Sequence, residues 1–107
     1  MARGKSLLSD EDEPQCLICN TTMYLEVHHV YNGPYRSKSD KDGCWCYLCA
    51  YHHRESNNAI HRNPARAKWL KAYCQRKWEK RYTESFPSIP KVDARGEFIK
   101  MYGKSYL

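Results

Sequence analysis

Apolar positions in the first half of the chain come in short, broken runs. Met23-Tyr24-Leu25-Glu26-Val27 and Cys46-Tyr47-Leu48 are rich in strand-forming residues, and the turn formers Asn32-Gly33-Pro34 and the charged stretch Ser37 to Gly43 lie between them. This predicts two brief strands in a hairpin-like knot, with residues 37–43 as a loop. After Asn63 the period changes. Ala67, Leu70, Tyr73, Cys74, Trp78 and Tyr82 recur at helical spacing, and Arg66, Lys68, Lys71, Arg76, Lys77, Lys80 and Arg81 fill much of the rest. Asn63 before Pro64 supplies an N-cap side chain and a proline at the first helical position, so a long amphipathic helix is expected from there to about Thr83. Pro87 and Pro90 mark an extended link, and Glu97 to Tyr102 reads as a short helix stopped by Gly103. Residues 1–13 are polar and without period and are expected to be a flexible tail, which leaves 14–107 as one domain.

Composition shifts this picture towards an internal staple. With 107 residues, 41% of them hydrophobic, the aliphatic core is thin, and nine tyrosines and three tryptophans must supply much of the burial. Six cysteines are compatible with three disulfides in a secreted protein. Against that, Leu7-Leu8 is the single apolar pair before Pro14 and is followed by Asp10-Glu11-Asp12-Glu13, which is no signal-peptide core, and no run approaches the length of a membrane span. A cytoplasmic location is expected, where thiols stay reduced. The formal charge is +6, and from Pro14 onward sixteen basic side chains face eight acidic ones, a net +8. Such a body favours polyanions through counterion release, although charge alone does not single out nucleic acid.

The histidines and cysteines cluster. All five histidines lie between His28 and His61, and five of the six cysteines between Cys16 and Cys49. Cys16-x-x-Cys19 and Cys49-x-x-His52 are two ligand pairs about thirty residues apart, the spacing of a closed tetrahedral structural zinc site. A redox CxxC is the rival, but it needs no distant CxxH partner. His28, His29, His53 and His61 then remain. On a strand, adjacent His28 and His29 face opposite ways, so one should ligate and the other act. A metal together with a neutral imidazole able to take a proton from water is the equipment for phosphodiester hydrolysis. Cys44 and Cys46 alternate in a short strand and read as small buried thiols, as does Cys74 on the apolar helix face, and Tyr73, Trp78 and Tyr82 read as packing.

Leu25-Glu26-Val27-His28-His29-Val30, preceded by Cys16-x-x-Cys19 and followed by Cys49-x-x-His52-His53, resembles the HNH (ββα-metal, His-Me finger) nuclease motif. The resemblance implies a small α+β fold, a ββα-metal finger on a zinc knuckle followed by the two helices. It implies His28 as first metal ligand, His29 as general base, and His53 and His61 as further ligands of a catalytic divalent ion, Mg²⁺ or another divalent metal, beside the structural Zn²⁺. A narrower similarity, to phage Ref-type nucleases that act with RecA, rests on His28-His29-Val30-Tyr31-Asn32-Gly33, Tyr47-Leu48-Cys49-Ala50-Tyr51-His52-His53, Ile60-His61 and Met101-Tyr102-Gly103-Lys104-Ser105-Tyr106-Leu107. It implies DNA and a RecA filament as partners, DNA recombination as the setting, and a bacterial or phage-infected cytoplasm. The middle asparagine of HNH proteins is missing, because Asp42-Gly43-Cys44-Trp45-Cys46-Tyr47 stands where it belongs. Asp42 or a backbone carbonyl is the candidate replacement that steadies His29. Arg54 and Arg62, close to the ligands, are the candidate DNA-binding residues. The competing reading is a zinc-ribbon-like module that binds nucleic acid or protein and cuts nothing.

Overall fold

The computed structural model describes residues 3–107, so Met1 and Ala2 of the expected tail lie outside the described residues. Strands β1 (Leu25–His29) and β2 (Trp45–Cys49) pair antiparallel, with Leu25 opposite Cys49, His28 opposite Cys46 and His29 opposite Trp45. A single 3-10 turn, Gly33–Tyr35, and helix α1 (Arg36–Lys41) connect them. A wide helical turn, Tyr51–Glu55, leaves β2, and helices α2 (Pro64–Glu84) and α3 (Ala94–Tyr102) complete a small α+β domain. No helix among the described residues is long and apolar enough to cross a membrane.

The expected loop at 37–43 is therefore a correction, since most of it is helix α1. Only Ser39 of that helix is buried, so it carries no apolar stripe for periodicity to detect. Helix α2 runs as expected. The Asn63 side chain accepts from the N–H groups of Ala65 and Arg66 at 3.1 and 3.2 Å, and Leu70, Cys74 and Trp78 are buried. Its fourth buried residue, Gln75, breaks the apolar pattern for a reason. Its side-chain amide donates to Glu79 and Ser105 and its carbonyl accepts from the Tyr106 N–H at 2.7 Å, which ties the C-terminal segment to the helix. Helix α3 starts three residues before the expected Glu97, because Asp93 caps it by accepting from Gly96 N–H at 2.9 Å. Gly103 ends it at φ 86°, a left-handed conformation in which glycine meets no Cβ penalty.

Aromatic rings fill the core between α2, α3 and the sheet. Phe98 lies 5.3 Å from Trp78 and 4.8 Å from Tyr102, and Tyr31 lies 4.9 Å from Tyr102. Asp42 joins the layers by accepting from Trp78 Nε1 at 3.0 Å and from the Tyr102 hydroxyl at 2.6 Å. The expectation that Asp42 steadies His29 is corrected by this engagement.

The flexible-tail expectation is also corrected, for residues 4–9. Gly4 N–H donates to Asp40 O at 2.8 Å, Leu7 N–H to Gly43 O at 2.8 Å, and Trp45 Nε1 to Gly4 O at 2.8 Å. Leu7 and Leu8 pack against the core. Two leucines are too few to give a period, yet they suffice to dock a strap whose backbone bonds are made elsewhere. A methyl group on Gly4 would run into the Lys41 carbonyl and one on Gly43 into that of Lys5, so both glycines are there to let two backbones touch. Gly4→Ala should release the strap and remove about 1–2 kcal/mol with its hydrogen bonds. Trypsin cleavage after Lys5 should then accelerate while the helical circular dichroism stays native; unchanged cleavage would contradict the docked strap.

Candidate metal centres

The knuckle assembles from three pieces of chain. Asn20, at φ 64°, closes the turn that presents Cys16 and Cys19, and Leu17 N–H donates to Tyr47 O at 2.9 Å, fixing that turn to β2. Cys49 ends β2, and His52 follows on the helical turn. Cys19 Sγ lies 3.8 Å from Cys49 Sγ, and His52 Nδ1 lies 3.3 Å from Cys49 Sγ and 3.9 Å from Cys16 Sγ. With Zn–S near 2.3 Å and Zn–N near 2.05 Å, a tetrahedral ion sets S···S edges of about 3.8 Å and S···N edges of about 3.6 Å. All four ligand atoms fall within 4.8 Å of one another, a group able to hold a metal ion such as zinc. Burial opposes ionisation of Cys16, but hydrogen bonds from the backbone of Cys19, Cys49 and Ile18 outweigh it and lower the thiol's pKa, favouring the thiolate that a metal requires. Cys44, Cys46 and Cys74 are fully buried, and burial pushes the Cys46 thiol up to about 12, so these three stay apart as core.

The second group is His28, His53 and His61, whose ligand atoms also lie within 4.8 Å of one another. Strand alternation turns His28 inward, leaving it 5% exposed, against Cys46 of β2. His53 sits one residue beyond His52 on the wide turn, so the neighbours diverge about its axis and serve different clusters. His61 is carried opposite by two backbone bonds, Ile60 N–H to His52 O at 2.8 Å and His61 N–H to His53 O at 3.1 Å. The Nε2 atoms of His53 and His61 are 2.9 Å apart, and the His28 ring centroid is 5.3 and 5.1 Å from theirs.

Two observations fit this trio to a cation. His28 Nδ1 is the one buried side-chain nitrogen or oxygen without a hydrogen-bond partner among the described residues, an arrangement that costs about 1–3 kcal/mol unless something fills it. Burial, followed by the neighbouring His53 and His61, pushes the His28 pKa down to about 3, so the ring is neutral at pH 7 and one of its nitrogens offers a lone pair. Behind His53 stands Glu26, whose Oε1 accepts from His53 Nδ1 at 2.7 Å. Arg54 grips the same carboxylate through Nε and a terminal nitrogen at 3.0–3.1 Å and, together with His53, holds the Glu26 pKa down to about 2. The carboxylate therefore fixes His53 as the Nδ1–H tautomer with Nε2 facing the trio, the usual support behind a metal-bound imidazole.

His29 does not join the trio. It leaves the other side of β1 into a 540 Å³ cavity lined by Arg3, Gly33, Arg36, Ser37 and Asp40, whereas His28 and His61 line a 270 Å³ cavity with Asn32, Arg62 and Lys71. Asp40 Oδ1 accepts from His29 Nδ1 at 2.7 Å, so Asp40 fills the steadying role that the sequence suggested for Asp42 or a backbone carbonyl. Arg62 lines the smaller cavity and donates to Glu55 O at 2.8 Å, while Arg54 is engaged by Glu26, a structural duty its sequence position did not reveal.

Sequence reasoning missed Glu26, Asp40 and Arg36. Glu26 had a signal, a lone charge two residues before His28 on the same strand face. Asp40 and Arg36 lie four apart in a polar helix with nothing to distinguish them from solvated charge.

No protein-family model matches the chain, and neither a curated protein nor a solved structure matches it.

Two predictions follow from the geometry. Glu26→Gln should weaken the ion held by the trio by about 10–100-fold while leaving one tightly held zinc per chain, as measured by metal titration followed by elemental analysis; equal loss at both sites would contradict the assignment. The second concerns pH in chelated, metal-free protein. His28 has a folded pKa of about 3 against an ordinary 6.5, so the unfolded chain takes up the proton first. Its contribution is complete above pH 6.5 and erodes as pH falls towards 3. The urea midpoint should drop through that window, and His28→Gln should flatten the drop; an identical slope in the variant would count against it.

Proposed function

We propose that this chain is a metal-dependent endonuclease of HNH type that hydrolyses phosphodiester bonds in DNA, with His29 as general base. The observation that carries the reading is the gathering of ligand atoms of His28, His53 and His61, with His28 Nδ1 buried and unpartnered, one residue along β1 from a carboxylate-anchored His29. On this reading strands β1 and β2 and the turn that follows them would serve as a reduced ββα-metal finger, the long helix beginning only after His61.

The division of labour follows from the two faces of β1. In-line displacement at phosphorus places the attacking and leaving oxygens on opposite sides. His29 works on the attacking side, where its Nε2 takes the proton of water while Asp40 holds Nδ1–H and stabilises the imidazolium that forms. His28, His53 and His61 would hold the divalent ion on the leaving side, where such an ion supplies charge neutralisation at the scissile phosphate and the departing oxygen. A donor set of three imidazoles and no carboxylate suits Zn²⁺ or a related transition ion better than Mg²⁺. Arg62 and Lys71, at the rim of that cavity, are placed to meet backbone phosphates. A RecA filament as partner belongs to the same proposal, through the sequence resemblance. The competing zinc-ribbon-like module accounts for the knuckle and the basic helix, but gives no reason for two carboxylate-backed imidazoles beside an unpartnered third.

Plasmid cleavage in a series of divalent ions, with and without RecA filaments and with EDTA as control, tests the activity. His29→Ala should lower cleavage by about 10²–10⁴-fold with the metal content unchanged. Native-level cleavage by that variant would remove His29 from the mechanism.

A further inference from the structure

The second nitrogen of His29 is already occupied. A guanidinium nitrogen of Arg36 lies 2.9 Å from His29 Nε2. Arginine carries five donors and no acceptor, so Nε2 must accept and Nδ1 must carry the proton given to Asp40. Arg36 and Asp40 thus agree on the one tautomer that a base acting through Nε2 requires, and Arg36 sits on the lone pair that would do the work. Arg36 itself is half-exposed and lightly held, its Nε 4.0 Å from Asp40 Oδ2. The one carboxylate within reach, Asp40, is already taken up by His29 Nδ1, which leaves the Arg36 guanidinium charge without a close anionic partner.

The cavity it borders is built for one. Arg3 lines the same 540 Å³ space, with its guanidinium 4.6 Å above the buried Trp45 ring, brought there by the docked strap. Two guanidinium groups therefore flank a cavity in which Asp40 is the one carboxylate, and that carboxylate is engaged by His29. Phosphate oxygens accept from guanidinium in charge-assisted, often forked pairs about twice as strong as a neutral hydrogen bond.

We propose that Arg36 is a phosphate-operated cover on His29: its guanidinium occupies Nε2 until a phosphate of a nucleic-acid backbone enters the cavity shared with Arg3 and draws it away. This deepens the nuclease reading and rests on it for the identity of the phosphate, since the base is uncovered only when its substrate is in place. Water near His29 is then left unactivated in the free protein.

The test reads the nitrogen itself rather than cleavage. Diethyl pyrocarbonate acylates an imidazole at an unprotonated, accessible nitrogen, and peptide mapping with fragment ions separates His29 from His28. Arg36→Ala should raise the rate at His29 about fivefold, the equivalent of one hydrogen bond of about 1 kcal/mol. Inorganic phosphate should raise the rate in the native protein, chloride at equal ionic strength should not, and phosphate should have no effect in Arg36→Ala. Arg3→Ala should require more phosphate to reach the same proportional rise in the His29 rate. Equal rates in native protein and Arg36→Ala would overturn the cover, as would phosphate that slows His29 acylation or leaves it unchanged in the native protein. Because none of these readouts requires DNA to be cut, a protein that fails to cleave but passes them would refute the nuclease reading and keep the phosphate-operated cover. One that cleaves but fails them would do the reverse.

Discussion

The turn from Tyr51 to Glu55 is the constraint on which both clusters depend. It leaves β2 at Cys49, sends His52 towards Cys16 and Cys19, and one residue later sends His53 towards His28 and His61. Neighbouring side chains can serve separate sites only if the backbone between them is held still. A bound ion in the knuckle would clamp the turn from one side, and Glu26, reaching from β1 to His53, holds it from the other. The knuckle is in this sense the foundation of the second site. A thin aromatic core could not by itself fix three imidazoles to within a few tenths of an ångström.

The same device occurs twice around β1. Glu26 accepts the Nδ1 proton of His53 and Asp40 accepts that of His29, so each imidazole presents Nε2 outward in a fixed tautomer. What lies beyond Nε2 then separates the two roles. His53 meets another imidazole nitrogen, a pairing that a cation resolves, and His29 meets a guanidinium, which an anion can remove. One strand thus divides a cation-seeking face from an anion-seeking one, and a phosphodiester held by an ion carries both complements.

The sequence made much of this legible. Cys16, Cys19, Cys49 and His52 announced themselves by spacing, because a tetrahedral ion needs two ligand pairs on tight turns. The His28-His29 pair and the alternation of a strand were enough to put the two imidazoles on opposite faces, His28 in the trio and His29 apart from it. Helix α2 was legible to within a residue, since Asn63 and Pro64 punctuate it and one face is apolar. What escaped detection shares a physical cause, in that each feature is polar or too short to repeat. Helix α1 buries only Ser39, the strap from Gly4 to Ser9 is held by backbone bonds that leave no mark on residue type, and the duties of Asp40 and Arg36 depend on a three-dimensional neighbour eleven and seven positions away in the chain. Asp42 was assigned to the wrong partner for the same reason, because spacing cannot say that Trp78 and Tyr102 reach it first.

The central claim is that the chain offers two distinct cation sites, one rich in sulfur and one of imidazole alone. X-ray absorption at the zinc edge reads this directly as one and then two equivalents of zinc are added. The first equivalent should show three sulfur neighbours at about 2.3 Å with one nitrogen, and the second should add only nitrogen or oxygen neighbours at about 2.0–2.1 Å. A second equivalent that shows sulfur neighbours, or that fails to bind in any ordered shell, would contradict the account.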